Sequence, residues 1–200
     1  MRIKKSFFDR DTNIVAKELL GKKIIRVLSD GKRVEAIITE TEAYHGFEDK
    51  ASHASRKKTE RNKIMFGEAG LVYVYLVYGM HHCLNFVTMG KDFPAAVLIR
   101  AVILIESGIE NKESRIKKKS KIHNSLFIIQ NSFLINGPGK TCKALHIDRS
   151  LYGEDLATSD KIWLEDGQKI NKCDIIEKER VGVGYAEECK DWKWNYRIVL

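Results

Sequence analysis

The sequence predicts an α+β fold in a single domain. Three observations carry this. Two hundred residues suit one domain with a sizeable core. One amphipathic helix signal near the N-terminus is followed by a series of short apolar runs of strand length, bounded by turn residues. No internal repeat and no linker divides the chain.

The elements follow in order. Asp9 to Leu20 reads as a helix, with Asp11 or Thr12 as cap, Ile14, Val15, Leu19 and Leu20 as one apolar face, and Gly21 as stop. Lys22 to Leu28 reads as a strand. Ser29-Asp30-Gly31-Lys32 then gives a hairpin cue, and Arg33 to Tyr44 returns. On that returning strand Val34, Ala36, Ile38, Glu40, Glu42 and Tyr44 share one face if no bulge intervenes. Apolar residues lead there into two carboxylates. Gly46 to Gly70 is polar, and from Lys50 it carries many basic residues suited to phosphate contacts. Leu71 to Tyr78 is an aromatic strand with Tyr73 and Tyr75 on one face and Tyr78 at its tip beside Gly79.

Leu84 to Met89 and Pro94 to Glu106 read as further strands. Arg100 lies inside the apolar run Ala95 to Leu104. A buried charge there needs a partner, and Glu42 is the candidate; an edge-strand arginine reaching water is the other reading. The region from Glu106 to Asn131 is expected to hold a helix somewhere within it and a loose lysine-rich piece around residues 112–124, with no detailed structure assigned. Asn136-Gly137-Pro138-Gly139-Lys140 is a tight loop before a short helix, Thr141 to Leu145. Lys161 to Leu164 and Lys172 to Ile176 read as short strands, and Arg180 to Ala186 as a glycine-punctuated turn. Trp192, Trp194 and Tyr196 are expected to pack the last segment down.

Composition narrows the partners. A formal charge of +8 and a pI near 9.2 favour a polyanion, nucleic acid or an anionic membrane surface, over a basic surface kept for solubility. Cys83, Cys142, Cys173 and Cys189 form no CxxC pair, and scattered thiols fit a reducing compartment. The N-terminus has no apolar run long enough for a signal peptide. The longest apolar run is too short to span a bilayer. A cytoplasmic location is expected.

Three chemistries compete for the central stretch. A metal site on His81, His82 and Cys83, with His53 elsewhere, has poor geometry, since neighbours on a strand point to opposite faces. Covalent catalysis has no Cys or Lys that stands out. Carboxylate-assisted hydrolysis has Glu42 as base on a water and Arg100 to orient it, with Tyr44 and Tyr75 to sandwich a flat ring and His53 to cap its edge. With a basic surface this describes an enzyme that takes a base from DNA and cleaves its N-glycosidic bond. A nucleic-acid binding module without catalysis, using the same charge and stackable tyrosines, is the alternative.

Glu40-Thr41-Glu42-Ala43-Tyr44 with Ala51-Ser52-His53, the run Tyr73 to Met80 with Asn85, Leu98-Ile99-Arg100-Ala101, Asn136-Gly137-Pro138 and Arg180-Val181-Gly182-Val183 form a specific pattern. By these motifs the chain resembles the bacterial type of the alkyladenine (3-methyladenine) DNA glycosylase family, over nearly its whole length. The resemblance implies a curved, mainly antiparallel sheet with flanking helices and no helix-hairpin-helix. It implies a monofunctional enzyme that flips alkylated or deaminated purines from duplex DNA and leaves an abasic site. Glu42 would be the water-activating base, with Arg100 and the backbone carbonyl of Val181 holding the water. Tyr44, His53, Tyr75 and Asn85 would form the base pocket, and Tyr78 would fill the gap left by the flipped base. Arg56, Thr59, Arg61 and Asn62 would meet the DNA backbone. A monomer acting on double-stranded DNA with a damaged purine, with no cofactor, metal or membrane and associated with the nucleoid, is expected. Glu60, Lys57 and His81-His82 depart from the family pattern, and the lysine-rich insert is particular to this chain.

Overall fold

Strands β2 (Arg33–His45) and β5 (Ala95–Ile105) pair antiparallel through the centre of the molecule. This is seen in a computed structural model that describes residues 1–105 and 132–199. The helix and lysine-rich piece expected within 106–131 lie outside the described residues. Each central strand changes its outer partner halfway along. β2 pairs first with β1 (Lys23–Val27), then with β9 (Asn195–Ile198). β5 pairs first with β4 (His81–Val87), then with β6 (Ser132–Asn136). β3 (Val72–Val77), β7 (Ile162–Glu165) and β8 (Ile175–Lys178) extend these partners. The result is one curved, antiparallel sheet of nine strands among the described residues.

At the changeover the register of β2 against β5 slips twice. Ile38 faces Val102, Glu40 faces Ala101, and Thr41 faces Ile99. The single face expected from Val34 to Tyr44 required that no bulge intervene, and it does not survive the slips: Ala36, Ile38 and Ala43 lie in the main core and the Thr41 hydroxyl donates to the Ala16 carbonyl at 2.8 Å, whereas Glu40 and Glu42 both reach Arg100. Arg100 falls in the skipped position of β5. Its carbonyl accepts instead from the Gly137 N–H and the Thr141 hydroxyl, each at 3.0 Å.

The β1–β2 hairpin closes at the predicted Asp30-Gly31, where Gly31 takes φ +80° and Asp30 accepts from the Lys32 N–H at 2.9 Å. The N-terminal helix is shorter than expected. A four-residue turn, α1 (Lys5–Phe8), precedes α2 (Thr12–Glu18). Asp11 sets the start of α2 by accepting from the N–H groups of Asn13 and Ile14 at 2.9 and 3.1 Å. Val15 and Ala16 are buried with Leu19 and Leu20, but Ile14 is 49 % exposed. In so short a helix the buried stripe is narrow, and Ile14, one position before Val15, turns out of it.

Three further boundaries move. α3 (Pro138–Ala144) starts at the proline, whose missing N–H costs nothing in a first turn. β4 begins at His81 because β3 and β4 are joined by the tight turn Tyr78-Gly79-Met80. The last predicted strand splits into a 3-10 turn, Lys172–Asp174, and then β8. The main core lies under the sheet, with Phe8, Leu19, Ile38, Phe86, Ile99, Ile103 and Leu145 fully buried. Among the described residues no helix is long and apolar enough to cross a membrane.

Candidate active site

The partner changeover leaves an irregular patch where two acidic residues from β2 meet one arginine from β5. Glu42 is fully buried and Glu40 nearly so. Arg100 Nε lies 3.0 Å from Glu40 Oε1 and 3.4 Å from Glu42 Oε1. Its Nη1 is 3.5 Å from Glu42 Oε2. The reading of Arg100 as an edge residue is thereby excluded. Its expected partner Glu42 is present, and Glu40 is the nearer one. Burial alone would lower the Arg100 pKa, but the two carboxylates raise it, so the cation is firmly held.

The remaining lone pairs of Glu42 are also used. Oε1 accepts from the Val181 N–H at 2.7 Å and from Asn195 Nδ2 at 3.0 Å. Oε2 accepts from the Tyr44 hydroxyl at 2.9 Å. Val181 thus touches Glu42 through its N–H. Counting Arg100, four N–H or O–H donors lie within hydrogen-bond reach of this one carboxylate, which fixes its position.

Val181 is delivered by a buried staple. Arg180 Nη1 and Nη2 donate to the two oxygens of Asp49 at 2.6 and 2.8 Å, both side chains being fully buried. The same guanidinium donates to the carbonyls of Ala43 and Cys189 at 2.9 and 3.1 Å. It also stacks against Tyr44 and Trp194, 4.9 and 5.1 Å from their ring centres. One side chain therefore fixes the 180–186 turn to the end of β2 and backs the Tyr44 ring. Trp192 and Trp194 pack beside it with ring centres 4.4 Å apart.

In front of this network opens a cleft of about 400 Å³, lined by Tyr44, His53, Tyr75, Asn85, Arg100 and Val181 among others. Every residue expected in the base pocket therefore lines it. The volume suits a flat ring of purine size. His53 stands edge-on to Tyr75 with ring centres 4.6 Å apart, and its Nδ1 is 3.2 Å from the Tyr73 hydroxyl. His53 is open to solvent at the rim. Its inner edge is not, and desolvation helped by the nearby Arg61 cation pushes its pKa down to about 4. Burial likewise raises the phenols of Tyr44 and Tyr75, so both keep their protons. Asn85 spends its amide nitrogen on the carbonyls of Tyr73 and Cys83 at 3.1 and 3.3 Å.

The rim carries the groups expected to meet DNA. Tyr78 is 88 % exposed with φ +52°. Arg56 and Thr59 are exposed. Arg61 lies over the Tyr75 ring at 4.9 Å. Asn62 departs from the expected backbone contact. It is buried, accepting from the Thr59 N–H at 2.6 Å and donating to the carbonyls of His53 and Lys57 at 2.8 and 2.9 Å. Its part is to shape the loop. Among the described residues no three His, Cys, Asp or Glu side chains gather as metal ligands.

Sequence reasoning misses Asp49 and Asn195; it places Glu40 beside Glu42 as a second carboxylate on β2 without giving it a role, and it reads Arg180 only as part of a motif. Asp49 has one usable signal, an acidic residue just after a strand ending in a basic, solvent-facing loop. Asn195 has none.

A family model described as methylpurine-DNA glycosylase matches residues 6–199. A protein of Desulfitobacterium hafniense, provisionally named a 3-methyladenine DNA glycosylase, is 45 % identical over 198 residues, 98 % of this chain and 95 % of its own length. Proteins with the same provisional name from Clostridium perfringens and Methanocella arvoryzae are 42 % and 44 % identical, over 99 % and 96 % of this chain and 96 % and 90 % of their own lengths. The chain belongs to the methylpurine-DNA glycosylase family.

Proposed function

We propose that this protein, as a single glycosylase domain, hydrolyses the N-glycosidic bond of alkylated or deaminated purines that it flips out of duplex DNA. The observation that carries the proposal is the buried Glu42 carboxylate, held by Arg100, Val181 and Tyr44 directly behind an aromatic cleft of purine size. A buried carboxylate with this many donors is costly to assemble, and a pure binder has little use for it.

The steps follow from charge. Alkylation at a purine ring nitrogen makes the base cationic, so it leaves with the bonding electron pair as a neutral molecule. The sugar left behind gains oxocarbenium character at C1′, which the Glu42 carboxylate stabilises. A water oxygen bonds to C1′ as the C1′–N bond breaks, and its proton passes to Glu42. The products are the free base and an abasic site; a deaminated purine, which is neutral in DNA, leaves as its anion and takes up a proton from solvent. Arg100 and the Val181 backbone orient the water and carboxylate. Tyr44, Tyr75 and neutral His53 hold the ring, and Asn85 beside it works against undamaged purines. Tyr78 fills the vacated stack. Arg56, Thr59 and Arg61 meet phosphates, so binding falls steeply with salt.

Glu42→Gln is the test. In single-turnover assays on methylated DNA and on duplexes carrying hypoxanthine, the wild type should release base. The variant should release none while still binding damaged duplex. Turnover retained in the variant removes Glu42 as base. Tight binding without release by the wild type makes the protein a damaged-DNA binder instead.

A further inference from the structure

Glu40 has no part in the reaction as described, yet it is the closest carboxylate to Arg100. The distances are 3.0 Å from Arg100 Nε to Glu40 and 3.4 Å to Glu42. Asn195 Nδ2 then spans the pair, donating to Glu40 Oε1 at 2.8 Å and to Glu42 Oε1 at 3.0 Å. The two hydrogens of one amide thus fix the separation of two carboxylates without adding charge. Two buried acids share one guanidinium, whose residue sits in the position that the register of β2 on β5 skips.

This stoichiometry matters for a base. An arginine devoted to Glu42 alone would hold it in its ionised form but weaken it as a proton acceptor. Two carboxylates without the arginine would drive one of them to protonate. Sharing gives the intermediate case. The other charged or titratable groups around the cluster are few. Tyr44 on β2 donates to Glu42. Cys83 on β4 lies near Arg100. Arg197 on β9 faces Glu40 in register. Arg180 acts on Glu42 from the 180–186 turn.

We propose that Glu40 is a positioning residue that draws part of the Arg100 charge away from Glu42 and so keeps Glu42 basic enough to accept the proton of the attacking water. The inference rests on the reading of Glu42 as that base. It predicts that charge at position 40, more than hydrogen bonding there, sets the pH at which the enzyme switches on.

Glu40→Gln tests this, because the amide oxygen still accepts from Arg100 and Asn195 while the charge is gone. Single-turnover base release from methylated DNA is measured against pH for wild type, Glu40→Gln and Glu42→Gln. The acid limb of the Glu40→Gln profile should move to lower pH by about one unit. Its plateau should fall roughly three- to tenfold, as expected for a weaker base. A limb that stays in place overturns the proposal, whether or not the rate falls, since a merely structural role lowers rate and melting temperature without moving it. If Glu40→Gln does not fold, a carboxyl carbon-13 titration of the wild type decides. Glu40 staying ionised while Glu42 titrates supports the proposal, and Glu40 protonating first overturns it. Base release by Glu42→Gln, or none by wild type, overturns the parent reading together with this one. An inactive Glu42→Gln beside an unmoved Glu40→Gln limb overturns this one alone.

Discussion

The Tyr44 hydroxyl donates to Glu42 Oε2 across 2.9 Å. Burial, reinforced by that carboxylate, holds the phenol's pKa well above its ordinary value, so Tyr44 stays a donor at working pH. A donor on a carboxylate favours its charged form. Tyr44→Phe keeps the ring for stacking and deletes the donor. The acid limb of its rate profile should therefore move to higher pH, opposite in sign to that of Glu40→Gln. A limb that moves down or not at all would mean the hydroxyl has no influence on the base.

Asp49 and Arg180 form a fully buried pair. The Asp49→Asn change leaves the guanidinium without its counter-charge and should cost about 3–5 kcal/mol in urea unfolding. Base release should fall further than stability alone explains, because Arg180 backs Tyr44 and delivers Val181. Replacing both members, Asp49→Asn with Arg180→Met, should recover much of the stability and little of the rate. Full recovery of rate would show that the staple does not position the site.

What the sequence makes legible depends on reach along the chain. The Asp30-Gly31 hairpin is written in adjacent residues and is readable, whereas the period of two along β2 predicts its faces only up to the register slips after Ile38. The need of Arg100 for a carboxylate is readable from its apolar flanks. That Glu40 is nearer than Glu42 is not, because it depends on a double register slip between strands about sixty residues apart. Asp49 meets Arg180 across 131 positions and Asn195 meets Glu42 across 153, and neither contact leaves a local pattern. Ile14 escapes its expected burial because period alone cannot say how wide a buried stripe a seven-residue helix has.

His53 gives a pH signature with a definite sign. In the unfolded chain its imidazole takes a proton below about 6.5. In the folded protein it stays neutral down to about 4. Between these values the unfolded state binds more protons, so this group makes stability rise with pH across that window. Its contribution is whole above about 6.5 and is lost as pH falls toward 4. Solvent at the open rim screens its size. His53→Gln should flatten the stability curve from pH 4 to 6.5, measured by urea unfolding at each pH. An unchanged slope would mean the ring titrates normally.

Tyr78 separates function from stability most cleanly. It is 88 % exposed at the β3–β4 turn and holds φ +52°, a conformation that costs a residue with a Cβ. Gly79 beside it, at φ +71°, needs no such concession. A bulky residue in a strained, solvent-facing position buries little surface on folding, which points to a role in what it contacts. Tyr78→Gly should therefore leave stability unchanged or raise it by up to about 1 kcal/mol. Base release from a stably paired lesion should fall, since the side chain that would occupy the vacated stack is gone. Release from a lesion in a mismatch should fall less, because there the base is already partly unstacked. Equal losses on both substrates would place Tyr78 in the chemistry or in overall binding, and no loss on either would remove it from the DNA interface.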